Sequence, residues 1–151
     1  MLQHGAARVL AVDTGYGQIA QSLRSDTRVK LMERTNARLL VPGDLPEGLS
    51  FIAMDVSFIS ATLVLPPVVE AAFGNRENPA EAVILIKPQF EAGRQHIGKG
   101  GIVRDPAAHQ LAISRVRECI GELNAKEVDV IDSPITGVEG NREFLLHARF
   151  S

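Results

Sequence analysis

Apolar, β-rich runs alternate with helical patterns along the chain, and this alternation restricts the fold more than any other feature of the sequence. The predicted strands are 8–12, 29–33, 51–55, 82–87, 127–132 and 143–149, and the predicted helices are 18–24, 61–73 and 106–123. Strands separated by helices are typical of βαβ units, in which a mostly parallel sheet is covered on both faces. We therefore predict an α/β fold.

The helix predicted at 106–123 has the clearest signals. Asp105 is a suitable N-cap, Pro106 occupies the first helical position, and the apolar residues that follow recur near helical spacing. The region 88–103 contains four glycines and few regularly spaced apolar residues, so it is predicted to be a long loop. Loops of this length in compact domains are often functional.

Composition excludes several classes of protein. With 151 residues, 45% of them hydrophobic, the chain is long enough for one domain with a real core. A net charge of -2 does not fit a strongly basic nucleic-acid module, so any site for a polyanion must be local. The single cysteine, Cys119, excludes an internal disulfide framework and a cysteine-based zinc site. We find no signal peptide and no membrane-spanning run, and we expect a soluble, cytoplasmic protein.

Charged residues end three of the apolar strands. Asp13 follows the strand at 8–12, whereas Asp55 and Lys87 close the strands at 51–55 and 82–87. Open α/β sheets bind ligands at the carboxyl ends of their strands, which lie along one edge. Each charge alone could simply mark where its strand meets water, but the three together favour a shared site.

The turn from Gly15 to Ala20 matches the G-x-G-x-x-A form of the dinucleotide-binding fingerprint, with Glu33 downstream. However, Asp13 would place a carboxylate near the pyrophosphate, and like charges repel. An acid at this position is better suited to accepting hydrogen bonds from ribose hydroxyls. A tight turn without a phosphate ligand is therefore the favoured interpretation, and an NAD-type site remains the alternative.

The loop after Lys87 carries Arg94, Lys99 and Arg104 against one acid, Glu91. Its glycines allow close approach of the backbone to a ligand. This local positive charge could contact the phosphates of RNA, and the simpler alternative is a solvated surface loop.

Five blocks of sequence in a fixed order carry a resemblance to a known family. They are residues 13–18, 33–38, 55–60, 87–106 and 140–144. With these blocks the chain resembles the TlyA group of the FtsJ-like ribosomal RNA 2'-O-methyltransferases, some of which carry the label hemolysin. The resemblance implies a Rossmann-like methyltransferase sheet, S-adenosylmethionine as the methyl donor, and cytidine ribose hydroxyls of ribosomal RNA as acceptors.

The resemblance also assigns roles to individual residues. The catalytic set of the family would include Asp55, Lys87 and Glu143, with Lys87 as the candidate base for the ribose hydroxyl. The donor would be held by Asp13 at its ribose and by Gly15, with Asn36 near its adenine. A simpler interpretation of Lys87 and Glu143 is a structural ion pair at the edge of the sheet.

The chain departs from the family pattern at its start. It contains no glycine-rich donor loop on a first strand, no first lysine of the catalytic set and no separate small RNA-binding domain. We therefore expect a partial methyltransferase domain over 1–151 that binds donor weakly and is inactive alone. We expect it to fold only if the sheet closes the gap left by the missing strand, the chain self-associates, or a partner supplies a strand. A non-catalytic module that binds RNA or a partner is the alternative.

Overall fold

Six strands and four α-helices occur in the residues that the structure, a computed structural model, describes, which are 1–137 and 140–151. These residues divide into a smaller unit, Met1–Leu40, and a larger unit, Val41–Ser151. Each unit has its own sheet.

The smaller unit is built on two parallel strands joined by one helical turn. Strand β1 (Val9–Val12) pairs with β2 (Val29–Met32), and the short helix α1 (Gln21–Arg24) connects them. The predicted helix was longer, beginning at residue 18. The turn before it contains two glycines, and Gly17 has a φ of 73°, a left-handed conformation that delays the start of the helix.

The larger unit contains a four-stranded sheet. Its strands are β3 (Phe51–Met54), β4 (Ala80–Ile86), β5 (Glu127–Asp132) and β6 (Phe144–Phe150), in the order β3-β4-β6-β5. Strands β3 and β4 are parallel, but β6 is antiparallel to both of its neighbours. Half of the strand pairs in the described residues are thus antiparallel. The connection from β5 to β6 is too short for the crossover that parallel strands need.

Three helices belong to the larger unit: α2 (Ala61–Phe73), α3 (Pro88–Glu91) and α4 (Pro106–Glu122). Asp105 caps α4 as predicted, since its side chain accepts a 2.9 Å hydrogen bond from the backbone of Ala107. The prediction of a continuous loop over 88–103 is wrong at its start. Pro88 is pre-organised for a first helical position, and it begins the single turn of α3.

One face of the larger sheet carries the core. Alternate residues of β4 and β6 are buried, α2 and α4 both pack on this side, and the rings of Phe73 and Phe150 lie 5.3 Å apart. The opposite face carries half-buried and exposed residues, among them Ile131, which is 63% exposed. The expectation that helices cover both faces is therefore not met in this unit, because the described helices that contact the sheet lie on one side.

The proline pair inside α2 explains the position of the single cysteine. Pro66 has no N–H to donate to the carbonyl of Thr62 one turn earlier. The thiol of Cys119 on α4 lies 3.7 Å from that carbonyl and donates to it. Cys119 is therefore a packing residue between the two helices. None of the described helices is long and apolar enough to cross a bilayer.

Candidate functional site

The side chains that follow β3 and β4 meet at one edge of the larger sheet. Nζ of Lys87, directly after β4, lies 2.6 Å from Oδ1 of Asp55, directly after β3. It also donates a 2.9 Å hydrogen bond to Oγ of Ser57. The parallel pairing of the two strands places these residues at the same edge. The lysine side chain is 13% exposed and the aspartate 66% exposed, so the ammonium is enclosed while its counter-ion faces water.

Glu143 lies at the same edge but does not pair with the lysine. It directly precedes β6, which is antiparallel to β4 with Phe144 opposite Ile86. Glu143 is therefore the next residue beyond that pair, on the side of Lys87. Its carboxylate accepts a 3.3 Å hydrogen bond from Nε2 of Gln89 and is buried, with 6% of the residue exposed. The ion pair between Lys87 and Glu143 is therefore a wrong expectation, since the lysine turns toward the acid on the neighbouring parallel strand.

The glycine at 137 leaves room for this buried carboxylate. A Cβ added at Gly137 would overlap the carboxylate of Glu143. The backbone N–H of Gly137 donates a 2.8 Å hydrogen bond to the carbonyl of Asn141. Gly137 therefore contacts both the Glu143 carboxylate and the backbone just before it.

Asn141 is hydrogen-bonded to the carboxyl end of the basic loop, the segment that carries Arg94, Lys99 and Arg104. Its Oδ1 accepts a 3.0 Å hydrogen bond from the backbone of Val103, and its Nδ2 donates a 3.0 Å bond to the carbonyl of Gly101. Nε2 of His109 lies 2.8 Å from the carbonyl of Val103. Both polar side chains are buried, so the loop is held at its carboxyl end by a closed hydrogen-bond network.

The predicted RNA-binding residues lie on the surface. Arg94, Lys99 and Arg104 are all exposed, and none forms an ion pair within the part of the chain that the structure describes. Arg94 and Lys99 each begin a short 3₁₀ turn. The loop therefore presents cationic groups that internal acids do not neutralise, and the described residues contain no cluster that would hold a metal ion.

The predicted donor-binding residues belong to the smaller unit and make local contacts there. Oδ1 of Asp13 accepts a 2.6 Å hydrogen bond from the backbone N–H of Gly15. Oδ1 of Asn36 accepts a 3.1 Å bond from the backbone of Arg38 and caps the turn Ala37–Leu39. The bond from Gly15 fixes the orientation of the Asp13 carboxylate, whose second oxygen has no hydrogen bond among the described residues.

The glycine turn does not favour phosphate binding. Its second glycine, Gly17, donates its backbone N–H to Oε1 of Glu33 at 2.7 Å, and Arg24 donates to the same oxygen at 2.6 Å. Both hydrogen bonds lower the pKa of Glu33, and the one from the guanidinium of Arg24 has the larger effect. The amides that a pyrophosphate would need are thus already occupied by carboxylates, which disfavours the NAD-type alternative.

Sequence reasoning missed two side chains of the site, Ser57 and Gln89. Each stands two residues after a predicted site residue, Ser57 in the segment after β3 and Gln89 in the single turn of α3. Oε1 of Gln89 is buried and has no hydrogen-bond partner among the described residues. Phe58 was also missed: it is 92% exposed, and its φ of 63° is unusual for a bulky residue.

Comparison with known proteins gives a consistent result. The model of a family described as FtsJ-like methyltransferase matches residues 1–150. The chain is 43% identical over 149 residues to the "16S/23S rRNA (cytidine-2'-O)-methyltransferase TlyA" of Mycobacterium tuberculosis, covering 99% of this chain and 54% of that protein. It is 45% identical over 147 residues to the "Putative rRNA methyltransferase YqxC" of Bacillus subtilis, covering 97% of this chain and 51% of that protein.

A solved structure shares the fold. The crystal structure of "a putative hemolysin from Lactococcus lactis" superposes with a TM-score of 0.89 at 45% identity, covering 99% of this chain and 70% of that one. The likeness confirms the predicted Rossmann-like methyltransferase architecture. The chain spans about half the length of the curated relatives named above, 54% and 51%.

Proposed function

Because the chain belongs to the FtsJ-like methyltransferase family, we propose that it carries the RNA-facing part of an active site that methylates a cytidine 2'-hydroxyl of ribosomal RNA. The relative from M. tuberculosis is named for that activity. The observation that carries the proposal is the enclosed ammonium of Lys87, held by Asp55 and Ser57 at the edge of the sheet.

The geometry around Lys87 suits a proton transfer. An ammonium has three N–H groups, of which Asp55 and Ser57 occupy two, so the third is left for the oxygen of a ribose hydroxyl. The exposed carboxylate of Asp55 gives the lysine proton a route to water. The neutral amine would then accept the hydroxyl proton as the ribose oxygen bonds to the methyl carbon, while the carbon–sulfur bond of the donor breaks and its electron pair goes to sulfur.

S-adenosylmethionine supplies an electrophilic methyl group when bound. The chemistry of Asp13 fits one part of this donor, because a carboxylate at the end of a parallel strand accepts hydrogen bonds from ribose hydroxyls. Its hydrogen bond from Gly15 holds the carboxylate in place, and its second oxygen would receive the ribose. Asn36 keeps its amide nitrogen for the adenine, since only Oδ1 serves the local turn. We expect the isolated chain to bind donor weakly, because it contains no glycine-rich donor loop.

The surface of the larger unit suits RNA. The cations at 94, 99 and 104 are exposed and suited to phosphates, and Phe58 exposes an aromatic ring in the segment that contains Asp55 and Ser57. Proteins that recognise unpaired RNA combine basic and aromatic side chains in this way. Buried Glu143 is expected to orient Gln89 beside the lysine.

A chimera tests the catalytic assignment. Residues 1–150 would replace the matching segment of the M. tuberculosis relative, which supplies its own preceding segment. We expect the chimera to methylate cytidine in ribosomal RNA, as measured by mass spectrometry of digested nucleosides. Substituting Lys87→Met should lower the rate by about 10²–10⁴, the range for loss of a general acid or base.

Lys126→Met is the matched control, because Lys126 is an exposed lysine directly before β5 with no assigned role. It should leave the rate unchanged. Circular dichroism and calorimetric titration with the donor would show that each chimera folds and binds it. A folded, donor-binding Lys87→Met chimera that keeps its rate would refute the proposal.

An RNA-binding module without catalysis is the second candidate, and the exposed basic loop favours it. Here the chain alone should bind RNA with an affinity that falls steeply with salt, without methyl transfer by the chimera. Replacing Arg94, Lys99 and Arg104 together by alanine should weaken binding and flatten the salt dependence. Filter binding at several salt concentrations measures both.

A further inference from the structure

Two segments that follow the parallel strands β3 and β4 remain side by side beyond the sheet. Lys87 contacts Asp55 and Ser57, and the ring centroid of Phe90 lies 5.4 Å from that of Phe58. Glu91 then contacts Ser60 and Ala61. The contacts occur in the same order along both segments, so side chains continue the parallel pairing after the backbone hydrogen bonds end.

Glu91 is the buried end of this series. Its Oε2 accepts a 2.5 Å hydrogen bond from Oγ of Ser60, and its Oε1 accepts a 2.7 Å bond from the backbone N–H of Ala61, the first residue of α2. Its backbone carbonyl accepts a 2.5 Å bond from Arg115 of α4. Only 5% of the residue is exposed. Glu91 therefore joins the turn of α3 to the beginning of α2 and to α4.

The contacts nearer the solvent are weak anchors by comparison. Asp55 is 66% exposed, and ion pairs with such exposure contribute little to holding a conformation. Phe58 is 92% exposed and adopts a positive φ, so the segment contains backbone strain that its own packing does not offset. The position of Ser57 and Asp55 must then depend on an anchor elsewhere in the segment.

We propose that Glu91 is a positioning residue for Lys87, because it anchors the segment 55–61 that supplies both hydrogen-bond acceptors of the ammonium. Its consequence for methyl transfer rests on the proposed function, but the effect on the geometry of Lys87 does not. Loss of the Glu91 carboxylate should release Ser57 and Asp55 from the ammonium. Glu91→Gln retains an acceptor for Ala61 and a polar partner for Ser60.

Nuclear magnetic resonance of the side-chain ammonium in the 151-residue chain tests this proposal. The chain has four lysines, Lys30, Lys87, Lys99 and Lys126, and the other three are exposed, so a Lys87→Arg variant assigns the signal. We expect a distinct, slowly exchanging Lys87 signal in the natural chain. Glu91→Ala should move it to the position of the solvated lysines, and Glu91→Gln should restore it.

The matched control is Asp105→Ala, which removes the N-cap at the first turn of α4, ten residues before Arg115, and changes no side chain of the two segments. It should lower the unfolding temperature and leave the Lys87 signal in place. A folded Glu91→Ala chain with an unchanged Lys87 signal overturns the proposal, as does an Asp105→Ala chain that shifts the signal equally. If Glu91→Ala does not fold, Ser60→Ala decides: a displaced signal supports the proposal and an unchanged one overturns it.

Activity separates this proposal from the proposed function. In the chimera, Glu91→Ala should lower kcat about tenfold or more while the KM for RNA changes little, because only the reacting group is misplaced. If Lys87→Met leaves methyl transfer intact although Glu91→Ala shifts the Lys87 signal, the proposed function fails and the positioning role stands. If Lys87→Met abolishes transfer but Glu91→Ala leaves the signal unchanged, the positioning role fails alone.

Discussion

Asp13 after β1 and Asp55 after β3 look alike in the sequence, since each is an acid at the end of an apolar strand, but their surroundings in the structure differ. Asp13 accepts a hydrogen bond from the backbone two residues later, within the smaller unit. Among the described residues Asp55 makes no such local contact, and it instead binds Lys87, which follows another strand. The residues that follow explain the difference, since Gly15 can bring its N–H close to the acid. An acid before a glycine turn builds the turn, whereas an acid without one remains open to distant partners.

The two asparagines of the predicted blocks extend this comparison and give the largest expected effect. Asn141 joins segments about 40 residues apart and is buried, whereas Asn36 caps an exposed turn two residues ahead. Asn141→Ala should lower the free energy of unfolding by about 1–3 kcal/mol for each buried polar group left unpaired. Asn36→Ala should cost about 0.5 kcal/mol. Chemical denaturation measures both, and equal losses would contradict the comparison.

The two strand-end acids themselves should differ in stability and in chemistry. Asp13→Ala should lower the free energy of unfolding by about 1 kcal/mol, the net value of one hydrogen bond. Asp55→Ala should cost less than about 0.5 kcal/mol, because it loses an exposed ion pair. The order should reverse for the Lys87 ammonium signal, which Asp55→Ala shifts and Asp13→Ala leaves unchanged. A larger stability loss for Asp55→Ala would break the comparison.

The pH dependence of stability should have opposite signs for a buried and an exposed glutamate. Burial raises the pKa of Glu91 above its ordinary value of 4.5, although the hydrogen bonds from Ser60 and Ala61 and the charge of Arg115 act to lower it. The contribution of Glu91 to the free energy of unfolding is therefore complete below 4.5 and is lost as pH rises. The hydrogen bond from Arg24 lowers the pKa of Glu33. The contribution of Glu33 to the free energy of unfolding is therefore present above 4.5 and is lost as pH falls.

Unfolding temperatures of the natural chain, Glu91→Gln and Glu33→Gln between about pH 3 and pH 8 measure these two contributions, because this range includes the ordinary pKa of a glutamate. Glu91→Gln should remove a decline toward high pH, and Glu33→Gln should remove a decline toward low pH. Slopes of the same sign in both variants would show that the two carboxylates do not differ in this way.

The smallest effect is expected at Asp26, whose partner lies two residues away. A side-chain hydrogen bond from Arg28 lowers the pKa of Asp26 to about 2, yet the pair lies at the surface, with 53% of the arginine side chain exposed. Titration by nuclear magnetic resonance should find this low pKa, and Asp26→Asn should leave the unfolding temperature unchanged in high salt. A clear fall in the unfolding temperature of Asp26→Asn would show that this local surface pair contributes more to stability than we expect.

Most of the fold could be predicted from sequence periodicity. The strand at 127–132 and the helix at 61–73 have the predicted bounds, and Asp105 caps α4 as expected. Strand orientation was less accessible, because the antiparallel insertion of β6 between β4 and β5 depends on pairing between distant residues. The turn of α3 was missed because a single helical turn has no hydrophobic period to detect.

The site was predictable in its residues more than in its contacts. Strand-end position alone indicated Asp55 and Lys87, and these side chains are in contact. The partner of Glu143 was not predictable, since its sequence neighbours say nothing of Gln89, which reaches it from a different element. The assigned roles in donor and RNA binding stay predictions that the experiments above address.

Local chemistry along the chain determined the class of the fold, most element bounds, the helix cap at Asp105 and the acids that end strands, because each depends on residues a few positions apart. Tertiary structure alone decided that Lys87 pairs with Asp55, that Glu143 turns to Gln89 and that Glu91 anchors the segment after β3. These outcomes depend on which distant groups are buried together, and a buried polar group takes whatever partner the packing leaves within hydrogen-bond reach.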